Sequence, residues 1–167
     1  QAPAVAPAGL RSLADLGTSS LPAGREITLE RDTCGYRLRV PPDLVDLHRF
    51  RELVRTARHD PELDDAARAA TLAQAVALWG EPLAGMPGPW AEVTRTTVER
   101  EYLDAVLAWG RLALQLGQTE AVLTALAPLA TRHPALEPLV ELRMAALAAM
   151  GRRAEAIACY HDLRERL

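Results

Sequence analysis

The sequence predicts an all-α fold of paired helices, with one small β-hairpin near its N-terminal end. Three observations carry that expectation. Ala and Leu dominate a chain that is 49% hydrophobic and only 4% aromatic, a mixture that favours closely packed helices. From residue 43 onward, apolar side chains recur at steps of three and four, the period of one helix face. A period-two alternation appears convincingly only over residues 26–40. The 167 residues suit one compact domain with a small appendage.

Residues 1–24 are rich in Ala, Pro, Gly and Ser. Leu10, Leu13 and Leu16 hint at a short helix, which the run Ser19 to Gly24 then breaks. The opening Gln1 to Ala8 lacks the basic start and apolar core of a signal peptide, so residues 1–24 read as a linker. Over residues 25–40, Ile27 and Leu29 alternate with polar neighbours, and so do Tyr36, Leu38 and Val40. Asp32-Thr33-Cys34-Gly35 lies between the two runs, and Gly35 supplies the positive φ that a hairpin turn needs. A lone hairpin is marginal in water, so it requires support from elsewhere.

Pro41-Pro42 ends the hairpin, and residues 41–167 read as a helical domain in which Asp43 caps the first helix. Leu47, Phe50, Val54 and Ala57 form one apolar stripe, and Leu72, Val76 and Trp79 form the next. Gly80 to Pro89 is a Pro/Gly-punctuated loop. Trp90 opens the longest helix, with Val98, Tyr102, Ala105, Trp109, Leu112 and Leu116 on one face; Gly117 stops it. Val122, Leu126 and Leu129 mark a further helix that ends near His133-Pro134. Leu139, Leu142, Leu147 and Met150 mark the next, ending at Gly151, and Ala156, Tyr160, Leu163 and Leu167 the last.

Gly117 and Gly151 are 34 residues apart, the period of the tetratricopeptide helix–turn–helix unit. Gly110, Gly117 and Pro134 fall where the first unit places its close-packing glycine, its turn glycine and its terminal proline. Ala156 and Tyr160 match the second helix of the next unit. Phe50 to Trp79 reads as a third, degenerate pair. One such pair cannot bury its apolar face alone, so stacked pairs share a continuous core and expose a concave surface able to hold another chain.

Charge and chemistry narrow the function classes. Net charge is −3, so no global pull toward nucleic acid exists. Residues 1–59 carry nine Arg against seven acids, whereas residues 60–167 carry ten against fifteen, which places the basic bias at the N-terminal end. All nineteen basic residues are Arg, through base composition of the genome or through selection for bidentate contacts. Cys34 and Cys159 are too few for a disulfide framework and read as free thiols in a reducing cytoplasm. No apolar run approaches a membrane span.

No phosphate loop or dinucleotide fingerprint occurs. His48, His59, His133 and His161 lack partners at metal-ligand spacing, and His133 suits a helix-end dipole contact. Cys159, Tyr160, His161 and Asp162 diverge around a helix, so they cannot form a triad. Cys159 instead suits a small core position. Glu99 and Glu101 also diverge, which suits a solvated face with local ion pairs. Trp79, Trp90 and Trp109 sit at helical spacing or helix edges, where aromatic residues are more often core anchors than ligand cages. The expectation is a protein with no catalytic residues, no cofactor and no metal. The polar pattern that stands out is Arg31, Arg37 and Arg39 on the hairpin. Arg37 and Arg39 share a face opposite Tyr36, Leu38 and Val40, able to grip phosphate or enter a minor groove, or forming the ordinary polar face of a half-buried sheet.

The segment Gly35 to Pro41, followed by Val45-Asp46-Leu47 and Phe50, resembles the junction in SARP-type antibiotic regulatory proteins. There a winged-helix DNA-binding domain meets a bacterial transcriptional activator domain. The likeness continues through Ala75 to Trp79, Pro82-Leu83 and Pro89-Trp90, then His133-Pro134, Glu137-Pro138-Leu139 and Met144 to Leu147. It closes with Gly151-Arg152, Glu155-Ala156 and Tyr160, and spans roughly residues 35–167.

The resemblance implies the effector and dimerisation domain of a cytoplasmic transcription activator for a secondary-metabolite (antibiotic) gene cluster. Its implied partners are promoter DNA, through a winged helix of the parent protein, RNA polymerase and a second copy of the chain; none is a membrane. Residues 25–40 become the wing, Arg31, Arg37 and Arg39 its candidate DNA contacts, and Leu10 to Leu16 the tail of a recognition helix. The earlier part of a winged helix has no counterpart, which reads as a fragment of a longer protein. The alternative is a tetratricopeptide-like interaction or ligand-sensing adaptor unconnected with transcription.

Overall fold

The computed structural model describes residues 27–32 and 35–167, which divide into two compact units between Arg49 and Phe50. The segment Leu10 to Leu16, the rest of residues 1–26 and the turn residues Thr33 and Cys34 lie outside the described residues.

In the first unit, β1 (Thr28–Asp32) pairs antiparallel with β2 (Gly35–Arg39). The register sets Thr28 opposite Arg39, Leu29 opposite Leu38, Glu30 opposite Arg37, Arg31 opposite Tyr36 and Asp32 opposite Gly35. Gly35 has φ 144°, in the region glycine tolerates best. Pro42–Leu44 then form a short 3-10 turn, and Val45 is extended. Helix α1 therefore starts at Asp46 and runs to His59. Asp43 lies inside the 3-10 turn, three residues before that helix begins.

The remaining helices are α2 (Asp65–Ala77), α3 (Pro89–Gln115), α4 (Thr119–Arg132), α5 (Glu137–Ala149) and α6 (Arg153–Arg164). Together with the two-stranded sheet they bear out the predicted fold class. Helix α3 packs against α2, α4 and α5; α5 also packs against α4 and α6. The second helix of one pair thus meets the first helix of the next, as stacked hairpins require. The α1–α2 corner is held by polar contacts. The Asp64 carboxylate accepts from the Ala67 amide at 2.7 Å, capping α2. Arg68 donates to the carbonyls of Ala57, in the last turn of α1, and of Asp60 and Leu63 in the connection that follows, satisfying acceptors that the helix end and the loop leave open.

The 34-residue period is reproduced atom by atom. Gly117 and Gly151 have φ 74° and 75°. Gly117 N–H donates to Leu114 O at 3.0 Å and Gln118 N–H to Ala113 O at 2.8 Å; 34 positions on, Gly151 donates to Ala148 O at 2.9 Å and Arg152 to Leu147 O at 2.9 Å. Each is a Schellman closure, which needs a left-handed residue just past the helix end.

Leu126, Leu139, Val106 and Val122 are the largest fully buried side chains. Gly110 permits a close approach of α3 to α5: a Cβ there would lie 2.5 Å from Leu142 Cδ2. Leu142 is itself 4% exposed and has little room to turn away. Gly110→Ala is expected to destabilise by about 1–3 kcal/mol through overpacking, despite alanine's helix-propensity advantage of about 1 kcal/mol. Urea melts check this, and a Leu142→Ala partner should make the double variant less costly than the sum of the singles.

Several residues assigned to apolar faces are exposed. Trp90 is 67% exposed, so it is no core anchor; it stands in the first turn of α3, outward of the buried Ala91. Leu116 and Met150 sit at helix C-caps, and Tyr160 and Leu167 at the end of the stack, where no further helix among the described residues covers them.

Candidate functional site

Cross-strand partners share a face of a hairpin, so the register sorts the three hairpin arginines. Arg37 and Arg39 lie on one face with Glu30 and Thr28. Arg31 lies on the other, among Leu29, Tyr36 and Leu38. All three are exposed, but the structure brings together only Arg37 and Arg39. Glu30 adds a restraint not expected from the sequence: its Oε1 accepts from Arg39 Nε at 2.6 Å. That hydrogen bond and the charge of Glu30 raise the Arg39 pKa further, so the guanidinium stays charged. The apolar face is open as well, with Leu29 46%, Tyr36 56% and Leu38 60% exposed.

In the helical unit the ionisable groups tie helices together. Glu101 of α3 accepts two hydrogen bonds from Arg51 of α1, at 2.8 and 2.9 Å. Glu99, also on α3, lies 3.1 Å from His133 Nε2 and 3.6 Å from Arg132 Nη1, both at the end of α4. The two carboxylates do diverge, yet each bridges to another helix instead of standing on a solvated face. His133 therefore has a specific acidic neighbour besides its place at a helix end. Residues 99 and 133 stand one 34-residue period apart, but that period relates equivalent positions of successive hairpins and does not bring them into contact; the packing of α3 on α4 does.

Trp79, just past α2, stacks on Tyr102 of α3 with ring centroids 3.9 Å apart and 16° between planes. Burial pushes the Tyr102 hydroxyl pKa up, and Arg132 offsets part of that. Trp79 and Trp109 thus serve as anchors. A shallow groove of about 330 Å³ runs along α1, with Phe50, Val54, Arg55 and Arg58 facing Glu101 and Asp104. Three arginines line it against two acids, and Arg51 is already held by Glu101. Among the described residues no cluster of three or more His, Cys, Asp or Glu is placed to hold a metal, and no helix is long and apolar enough to cross a membrane.

Residues 45–167 match the model of the bacterial transcriptional activator domain. The chain is 37% identical over 142 residues to regulatory protein AfsR of Streptomyces griseus, an alignment covering 84% of this chain and 15% of that protein. It is 38% identical over 145 residues to regulatory protein AfsR of Streptomyces coelicolor, covering 83% of this chain and 14% of that protein. The chain therefore spans about one-seventh of the length of these curated relatives. Its fold is similar to that of Mycobacterium tuberculosis EmbR, solved in complex with a low-affinity phosphopeptide, with a TM-score of 0.64 at 24% identity over 83% of this chain and 38% of that one. The resemblance carried by residues 35–167 is thereby borne out, and the chain belongs to the bacterial transcriptional activator domain family.

Proposed function

We propose that this chain is the effector and self-association part of a cytoplasmic transcription activator. It supports a winged-helix DNA-binding domain, contacts RNA polymerase or a second protomer, and serves a secondary-metabolite gene cluster. Residues 25–40 act as the wing, residues 41–167 as the activator domain, and residues 1–24 as a linker or the tail of the recognition helix. One observation carries the reading: the family match begins at residue 45, directly after a hairpin with two exposed arginines on one face. The regulatory proteins among its relatives support the same role.

Wing arginines position a protein on phosphate, whereas base readout needs a recognition element in the major groove. Residues 1–167 alone should therefore bind duplex DNA weakly, without sequence preference, and lose it as salt rises. Fluorescence anisotropy on a fixed duplex across a salt series measures this. Replacing Arg37 and Arg39 by alanine should flatten the slope of log affinity against log salt by about 1 for each phosphate that is no longer neutralised. Arg31→Ala should change it less, because Arg31 stands on the opposite face. Tight, sequence-selective binding by this chain, or an unchanged slope in the double variant, would overturn the wing assignment.

A further inference from the structure

Near the start of α3, Glu92, Val93, Thr96, Thr97 and Arg100 are exposed on one side of the helix and line a shallow groove of about 310 Å³. The middle of this face is apolar, although its sequence reads as half polar. Thr96 Oγ1 donates to Glu92 O at 3.0 Å, and Thr97 Oγ1 to Val93 O at 2.9 Å. Each hydroxyl is turned back onto the helix, so what each threonine offers a neighbour is chiefly its methyl group. Val93, beside them, is 68% exposed. The two ends of the face carry opposite charge. Glu92 and Arg100 stand about 12 Å apart along the axis, and neither side chain has an ion pair or hydrogen bond among the described residues. The neighbouring Glu99 and Glu101, in contrast, are both taken up by other helices.

We propose that this face pairs with the same face of a second copy of the chain, the two α3 helices running antiparallel about Thr96. A two-fold interface sets a patch against itself, so the patch has to complement itself. Reversal about Thr96 brings Glu92 level with the partner's Arg100, and Arg100 level with the partner's Glu92. A parallel pairing sets acid against acid and arginine against arginine, so the charges fix the direction as well. Between the two ion pairs, Val93 and the threonine methyl groups leave water together, which supplies the attraction. The ion pairs are exposed and add little strength; they choose the partner and the register. Exposure alone would admit any neighbour, and it is the self-complementary charge that selects a second copy. The pairing rests on the self-association proposed above and gives it a location, while the wing arginines play no part in it.

Sedimentation equilibrium of residues 1–167, from micromolar to millimolar concentration, should show monomer and dimer in exchange. Glu92→Arg leaves both ends of the face positive, and Arg100→Glu leaves both negative. Each variant alone should therefore dimerise at least about tenfold more weakly. Mixed in equal amounts, the two should form a heterodimer of wild-type strength, because every like-charge contact becomes an ion pair. Glu92→Arg combined with Arg100→Glu in one chain should restore the homodimer, and Val93→Asp should abolish it. All three positions are exposed, so the circular-dichroism melt of each variant, taken at dilution, should match that of the parent chain. A dimer that ignores the charge variants, or single variants that fail to rescue each other on mixing, overturns the α3 face and leaves self-association standing. A chain that stays monomeric throughout overturns both and gives the face to a different occupant. Neither result bears on the wing arginines, whose readout is the salt slope.

Discussion

Trp109→Ala is expected to lower the unfolding free energy by about 3–5 kcal/mol, the range for removing a large buried aromatic side chain. Trp109 is 6% exposed on α3, and α3 packs against three other helices. A void at that position therefore faces walls that cannot all collapse inward. The indole Nε1 adds a second factor, since it is buried with no hydrogen-bond partner among the described residues. A buried donor left unsatisfied carries a cost of about 1–3 kcal/mol. Trp109→Phe removes that donor along with part of the ring and should cost under about 2 kcal/mol. Urea denaturation of the two variants separates the contributions. A melt that hardly moves for Trp109→Ala would mean that α3 does not depend on this side chain.

Leu139→Ala should cost about 2–5 kcal/mol, because its side chain is fully enclosed. Its larger consequence is regional. Helix α5 is the element through which α6 joins the stack, and stacked hairpins are stabilised mainly by nearest neighbours. Hydrogen exchange should therefore show amide protection in α6 falling further than in α2 or α3. Equal losses across all helices would show that the stack melts as one block.

Helix number and order were legible because apolar steps of three and four report directly on one buried face. The glycines were legible for a different reason. Gly110 and the pair Gly117 and Gly151 occupy places where a side chain is excluded by Leu142 or by a left-handed backbone, so their spacing carries geometry. What escaped the sequence depends on which helices become neighbours. The Glu99–His133 and Arg51–Glu101 ties join residues 34 and 50 positions apart, and no local period encodes them. Burial at helix ends escaped as well: Trp90, Met150 and Tyr160 keep the apolar spacing, yet the described residues leave each of them exposed. On the hairpin, alternation placed Arg37 and Arg39 on one face, and only the strand register separated Arg31 from them.

The matched closures at Gly117 and Gly151 have a consequence for how the chain tolerates growth. Both junctions use the same left-handed torsion and the same pair of reversed hydrogen bonds. Inserting or deleting one whole 34-residue block leaves each junction chemically intact. A single residue added inside one of the intervening helices instead turns the apolar seam beyond it by about 100°, so length variation in such an array is least disruptive in whole hairpin units.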